Sequence, residues 1–574
     1  MPRLAPASPE SHAGRAALGA LILALTFLPH LAGAIGFPGL VPGPPAYQQP
    51  PPTRELSPPD GQRPCPAPKT GWQYGRVVAG VELESSNQCR PDSPSVVAAV
   101  TKGTNRVPRK VLMPTGLAPG AVEKCCDRDG DGDPDKVTFR LEVAEINGRP
   151  PADEPPNLTF PIAPGVKPGF WVFVPKTRGM ATEDSRAGRL VRMPSPTLRV
   201  EQGDEVRVVL ENTHYFPHTI HFHGGDHPFR VDGQGNDGVP QVSETPVMPA
   251  ERRTYRFRPR AAGSFFYHCH VQPNVHVLMG LGGLFVVEPA AAGNRVQSVN
   301  IGAGRVRHPS RPSRERFDRE YDLVYQGVDP RLHGLIRESN DPRVVQEAMH
   351  RRYADGRRQP TQFLLNGRSF PYTVRESQIQ VRTGERVRLR VLNAGSEQVD
   401  LHTHGHRATV LAYDGVPVDG PRRVTRDVFQ IGASQRLDLL LHTRDDGRLA
   451  SGPGVWFMHD HREKAVTTNG VAPGGDIGLI TYESQLLGNG MPVRYGVDWA
   501  PYFSPDYYRG ERPVWEAYSG PALGEVAAWE PTAGELAGLG LGGLALGAAG
   551  SLAAGAWRRR RRRCRPRGSG LPAT

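Results

Sequence analysis

From about residue 135 onward, apolar and polar residues alternate in short runs divided by Gly- and Pro-containing turns, the period-two pattern of half-buried strands. The first set of expected strands is Lys136 to Ile146, Thr197 to Val200, Glu205 to Asn212, Thr254 to Arg258 and Gly283 to Glu288. A charged connector at 303–320 follows. The second set is Ile379 to Arg382, Arg386 to Leu392, Ala408 to Tyr413, Arg436 to Leu441, Val455 to His459 and Asp476 to Tyr482. The sets correspond in order: the stretch from Val200 to Val209 matches that from Val381 to Arg390, and each leads into a His-x-His-Gly. This is an internal repeat of an antiparallel sandwich, and it predicts an all-β fold with domains at 136–300 and 301–490.

Composition agrees with strands and loops. Glycine and proline number 66 and 58 among 574 residues, well above average usage. The formal charge of +12 first suggests a polyanionic partner, yet the ten residues from Arg558 to Arg567 hold eight arginines and no acid. The rest of the chain is near neutral, so no nucleic-acid partner is expected.

Both ends carry targeting patterns. Arg3 and Arg15, the apolar run Ala16 to Leu28 and the small residues Ala32-Gly33-Ala34 read as a signal peptide over 1–34. Leu536 to Trp557 is 22 residues without a charge, and Arg558 to Arg563 follow it. The expectation is a transmembrane helix at 536–557, a linker at 491–535 before it and a basic cytoplasmic tail at 558–574, with a removable C-terminal sorting tail of the same apolar-then-basic design as the alternative. The protein is then exported and extracytoplasmic, anchored to the membrane by its C-terminal helix.

A Pro-rich linker at 35–68 precedes an accessory region at 69–135. Cys89, Cys125 and Cys126 lie in that region, with Cys65 just before it, and export suggests two disulfides. The adjacent Cys125 and Cys126 are expected to have separate partners. Asp127, Asp129, Asp131, Asp133 and Asp135 alternate around Gly130 and Gly132, resembling the first half of a calcium loop; Thr138 stands at the twelfth position in place of the bidentate Glu. Calcium and a solvated acidic turn are both open readings.

Histidine placement carries the chemistry. Of 19 histidines, ten sit in four clusters: His218/His221/His223, His268/His270/His276, His402/His404 and His459/His461. His-x-His on a strand sends both rings to one face, where two imidazoles can converge on a metal. One such pair is weak evidence, but four, placed near the start and end of each repeat, point to a polynuclear metal site. Cys269, between His268 and His270, faces the opposite side, where one sulfur and two imidazoles suit a type 1 copper.

These motifs together, His218-Thr-Ile-His221-Phe-His223-Gly224, Tyr267-His268-Cys269-His270, His276-Val-Leu-Met-Gly280-Leu281, His402-Thr-His404-Gly405 and His459-Asp-His461, resemble those of a multicopper oxidase. The resemblance spans about residues 136–485 and implies two cupredoxin-like Greek-key β-sandwich domains holding four coppers. It implies that His218, Cys269 and His276 hold the type 1 copper, and that His221 and His402 hold the type 2 copper. His223, His268, His270, His404, His459 and His461 would hold the type 3 pair. Electrons from a metal ion or phenol would pass from Cys269 through His268 and His270 to the cluster, where dioxygen becomes water.

The second domain has Asp460 where Cys269 stands in the first and Val399 where His218 stands, so it lacks a type 1 site. This is similar to the laccase-like, two-domain branch of the family, in which the first domain of one chain meets the second domain of the next in a homotrimer. The pattern places Leu281 in the axial position of the type 1 site, with Met279 as the alternative. Asp226, Asp237 and Glu463 are the carboxylates near the histidines that could supply protons. A copper nitrite reductase is disfavoured because His221 and His270 stand where that family typically has Asp and a non-ligand; an exported copper-binding protein without turnover is the other alternative.

Overall fold

The computed structural model describes residues 76–84, 92–130, 132–150, 158–179, 190–290, 306–307, 317–487 and 490–510. The expected signal peptide, Pro-rich linker, transmembrane helix and basic tail, together with Cys65, Cys89 and Asp131, lie outside the described residues. Among the described residues no helix is long and apolar enough to cross a membrane.

The first sandwich comprises β1 (Val122–Cys125), β2 (Lys136–Ile146), β3 (Phe170–Pro175), β4 (Leu198–Glu201), β5 (Glu205–Glu211), β6 (His221–His223), β7 (Arg252–Phe257), β8 (Gly263–His268) and β9 (Gly282–Glu288). One sheet runs β7-β5-β2-β1 with β3 also on β2; the facing sheet runs β4-β9-β8-β6. Alternation does what period two requires: Val206, Val208 and Leu210 of β5 are buried while the residues between them are partly exposed. β3 departs from that pattern, because all six of its residues are buried. Its run Phe-Trp-Val-Phe-Val therefore carries no alternation to read.

The second sandwich comprises β10 (Arg319–Val328), β11 (Gln362–Leu365), β12 (Ile379–Val381), β13 (Arg386–Asn393), β14 (Val399–Thr403), β15 (Ala408–Tyr413), β16 (Val428–Ile431), β17 (Arg436–His442), β18 (Val455–Asp460) and β19 (Gly478–Tyr482). Its sheets run β11-β10-β13-β17-β15 and β12-β19-β18-β14-β16. Val387, Leu389, Leu401, Leu439, Met458 and Ile480 are among the residues of its core.

Further features depart from the sequence reading: β1 lies inside the expected accessory region and pairs with β2. β10 begins inside the expected connector. Cys125 and Cys126 are bonded to each other rather than to separate partners: β1 ends at Cys125, and Cys126 takes a left-handed φ of 69°, so the chain turns between them. Finally, β10 and β11 are joined through two helices, Pro330–Glu338 and Pro342–Glu347, and a π-helical turn at Ala348–Arg352. Asp329 and Asp341 cap the two helices through their carboxylates, each followed by a proline at the first helical position. Leu332, Ile336, Val345 and Met349 from this insertion are buried in the core of the first sandwich.

Candidate metal centre

The four histidine clusters owe their geometry to strand register. In the first sandwich His268 lies directly opposite His221, and Phe266 opposite His223. In the second, His402 lies opposite His459, and His404 N–H donates to Phe457 O at 2.9 Å. The same pairing in both repeats projects the rings of each half from one sheet face.

In the first half, ligand nitrogens of His221, His223 and His268 come within 4.8 Å of one another. His270 joins them, its ring centroid 5.4 Å from that of His221. In the second half, His402 is 4.6 Å from His404 and 5.4 Å from His461, centroid to centroid, and His404 Nε2 is 3.3 Å from His459 Nε2. No ring contact joins the two halves among the described residues. Backbone carbonyls hold Nδ1 of His221, His268, His402 and His459 through Asp237, Cys269, Asp427 and Asp460 respectively, at 2.7 to 3.0 Å. That fixes Nδ1 as the protonated nitrogen and leaves Nε2 as the donor to a metal. Burial pushes His268 down to about 3, and burial with the nearby Arg436 pushes His223 down to about 4, so both rings are neutral at physiological pH.

Cys269 occupies the other side of the strand end. Its Sγ lies 3.6 Å from His218 Nδ1 and 3.4 Å from His276 Nδ1, and all three residues are fully buried. His218 is fixed by a reciprocal backbone pair with Val247, and His276 closes the short helical turn Pro273–His276. Burial raises the Cys269 thiol to about 12. The metal-free thiol is therefore protonated and would give up its proton to a metal; the resulting thiolate and two neutral imidazoles in a buried pocket make a soft, compact donor set that fits copper. Cys269 is the free cysteine among the described residues. Met279 and Leu281 are both fully buried in the apolar cluster around it, and Leu281 O accepts the Cys269 N–H at 3.0 Å.

Of the three carboxylates considered, Asp237 is the one brought to the histidines. Its Oδ1 is 3.5 Å from His221 Nδ1 and 2.9 Å from His227 Nε2. Gly238 permits this approach: at φ 79° a Cβ there would sit 2.2 Å from Ile220 O. Asp226 pairs with the exposed Arg260, and Glu463, 90% exposed, is 3.9 Å from His461. In the acidic loop Asp127, Asp129 and Asp135 come together, while Asp133 shares a hydrogen bond with Glu201. Asp127 accepts the N–H groups of Gly130 and Gly132, so its carboxylate also serves the turn itself.

Three histidines outside the expected set adjoin it. His214 Nδ1 is 2.9 Å from His218 Nε2, His227 meets Asp237, and His350 Nε2 is 3.3 Å from His276 Nε2. The four-residue spacing of His214 from His218 was a readable signal, whereas His350 is isolated in sequence from every other cluster.

Two sequence profiles of families described as multicopper oxidase match the chain, at residues 188–292 and 338–473. Each repeat thus carries a multicopper oxidase family domain. Members of this family are copper oxidoreductases that use dioxygen, with type 1, type 2 and type 3 sites. Multicopper oxidase VdtB of Byssochlamys spectabilis is 38% identical over 104 residues, 18% of this chain and 14% of that protein. Copper resistance protein A of Escherichia coli is 23% identical over 307 residues, 50% of this chain and 49% of that protein. Matches to these curated relatives thus span no more than about half of their length. Among solved structures, the blue copper oxidase from Nitrosomonas europaea is 25% identical, with 66% of this chain and 93% of that chain covered and a TM-score of 0.46.

Proposed function

We propose that this protein acts as a multicopper oxidase, coupling one-electron oxidation of a metal ion or phenolic donor at Cys269 to four-electron reduction of dioxygen to water at the histidine cluster. The observation that supports it is the repeated register of His221 with His268 and His402 with His459, with Cys269 bonded in sequence to two of the cluster histidines. Copper held by these residues would supply the one-electron chemistry and the site for dioxygen. His218, Cys269 and His276 would hold the mononuclear ion, with the buried Leu281 and Met279 in the apolar cluster around it. His221 and His402 would hold the type 2 ion, and His223, His268, His270, His404, His459 and His461 the type 3 pair. His268 and His270 link the two sites by the shortest covalent route the chain can provide. Asp237, with its oxygen between His221 and His227, would hold a proton beside the cluster.

In this reading the cluster forms between chains. His404 and His461 are exposed and His402 and His459 partly so, which is unusual for residues that must enclose a metal unless another surface covers them. The first half of a second copy would provide that surface, and three copies would close the ring. The targeting patterns at the two ends would place the enzyme outside the cytoplasm, anchored to the membrane.

The test is dioxygen uptake by the copper-loaded protein with cuprous, ferrous, manganous and phenolic donors, beside Cys269→Ser. The variant should lose the intense visible thiolate-to-copper absorption and donor-driven dioxygen uptake while retaining copper at the histidines. A variant that keeps its colour would overturn the assignment of Cys269.

A further inference from the structure

The nitrogens of His218 and His276 that face away from Cys269 have different surroundings. His218 Nε2 leads inward to His214, which is 6% exposed. His276 Nε2 leads to His350 at 3.3 Å, with the two rings 5.3 Å apart and inclined by 33°. His276 is fully buried and His350 is half-buried, so of these two outward contacts the one through His350 reaches solvent.

His350 is held there by packing. It sits in the π-helical turn Ala348–Arg352, with its neighbours Val345 and Met349 buried in the same apolar cluster as Val275, Leu278 and Cys269. Phe216, 3% exposed, forms a wall 5.4 Å from its ring. Although His350 belongs in sequence to the second sandwich, the insertion delivers it to the metal site of the first. An external donor approaching along this route therefore reaches His350 before His276.

The turn that carries His350 is cationic on balance. Arg351 and Arg352 follow it directly and are exposed; Arg352 lies 3.7 Å from Glu347, an exposed pair that solvent screens. Gln272, Pro273 and Asn274, which lead into His276, are exposed and uncharged. Arg351 and Arg352 against Glu347 leave one net positive charge on this turn, so a cationic donor would meet unfavourable charge and an anionic one favourable charge.

We propose that His350 is the residue that touches the electron donor, and that Arg351 and Arg352 favour anionic donors over metal cations. This rests on the reading of Cys269 as the one-electron site. The donor loses one electron and the Cys269 site gains one, through van der Waals and hydrogen-bonded contact at His350 and His276. No covalent bond to either imidazole forms or breaks, and no proton is required to move.

The experiment is anaerobic stopped-flow bleaching of the visible absorption of the copper-loaded full chain by hexacyanoferrate(II) and by hexaammineruthenium(II), each at low and high salt. The anionic donor should slow by about tenfold as salt rises while the cationic donor speeds up, and an Arg351→Gln/Arg352→Gln variant should flatten both slopes. His350→Leu should slow bleaching several-fold by both donors with an unchanged absorption spectrum; His350→Gln, which keeps a polar contact, should fall between. Calorimetry on the metal-free protein provides a readout independent of turnover. Hexacyanocobaltate(III), which has no electron to donate, should bind more weakly to the double arginine variant. Equal salt slopes for the two donors, undiminished rates in both His350 variants, or anion binding indifferent to the arginines would each overturn the proposal. Failure of the wild-type protein to develop the absorption at all would instead overturn the copper reading beneath it.

Discussion

Arg390 donates to both carboxylate oxygens of Glu288, at 3.1 and 3.2 Å, across the seam between the two sandwiches. The same guanidinium lies 2.9 Å from Glu320 and 3.1 Å from Asp438, while Arg199 answers from the first sandwich at 2.7 Å from both Glu320 and Asp322. Arg390 and Glu320 are each 1% exposed, so these charges depend on one another rather than on water. Replacing Arg390 with Met leaves several buried carboxylates under-compensated. It should cost about 3–5 kcal/mol in a denaturant titration, the range for breaking a buried pair from one side. A loss within the ordinary scatter of surface substitutions would show that the network does not tie the sandwiches together.

The sandwiches and the metal-binding motifs were legible for a common reason: each is written as a period-two pattern. β2 and β15 fall on the residues expected for them, and His-x-His states which way two rings point. Where burial is two-sided the pattern disappears, and β3, with six buried residues, gave no alternation to find. The expected strands also gave no view of the insertion over His276, because the helical segments of Pro330–Arg352 are short and gain their stability from packing against the other sandwich. Asp237 was one of three sequence-near acids, and only the close approach at Gly238 separates it from Asp226 and Glu463. His350 could not be assigned from sequence at all, since its partner His276 is 74 residues away.

Asp237→Asn should separate the two half-reactions. The carboxylate sits beside His221 and His227 and outside the group of His218, Cys269 and His276, and an amide cannot hold a proton in its place. Anaerobic bleaching of the visible absorption should be unchanged, whereas steady-state dioxygen uptake should fall about 10²-fold or more, the usual scale for loss of a positioned acid–base group. Equal losses in both measurements would mean that Asp237 is needed for the fold of the site rather than for proton supply.

The metal-free protein should lose stability on acidification through His268. Burial lowers its folded value to about 3, against an ordinary histidine value of about 6.5 in the unfolded chain. The unfolded state therefore binds the proton first: the contribution is fully present above about 6.5 and is lost as pH falls toward 3. At pH 5 the loss from this group is about 2 kcal/mol. Asp204 has the opposite sign, since burial raises it to about 6 and its contribution is lost as pH rises through that value. The difference between wild type and His268→Gln cancels Asp204. Urea titrations at pH 7.5 and 5 should show wild type losing about 2 kcal/mol more than the variant, and equal losses would exclude a neutral, proton-resisting His268.

The last prediction concerns how the cluster is completed. Each half supplies four imidazoles, no ring contact joins the halves within one chain among the described residues, and His404 and His461 face solvent. Mixing a His221→Ala/His223→Ala chain with a His459→Ala/His461→Ala chain tests whether the missing surface is another copy. Neither chain alone can build a cluster. In a ring where the first half of one chain meets the second half of the next, equal mixing pairs an intact first half with an intact second half at about a quarter of the junctions, and dioxygen uptake should recover to about that fraction. The recovery should peak at equal proportions and vanish toward either pure variant, because it counts mixed junctions. A cluster built within one chain always inherits a damaged half, so no recovery at any ratio would eliminate the interchain arrangement while leaving the Cys269 site untouched.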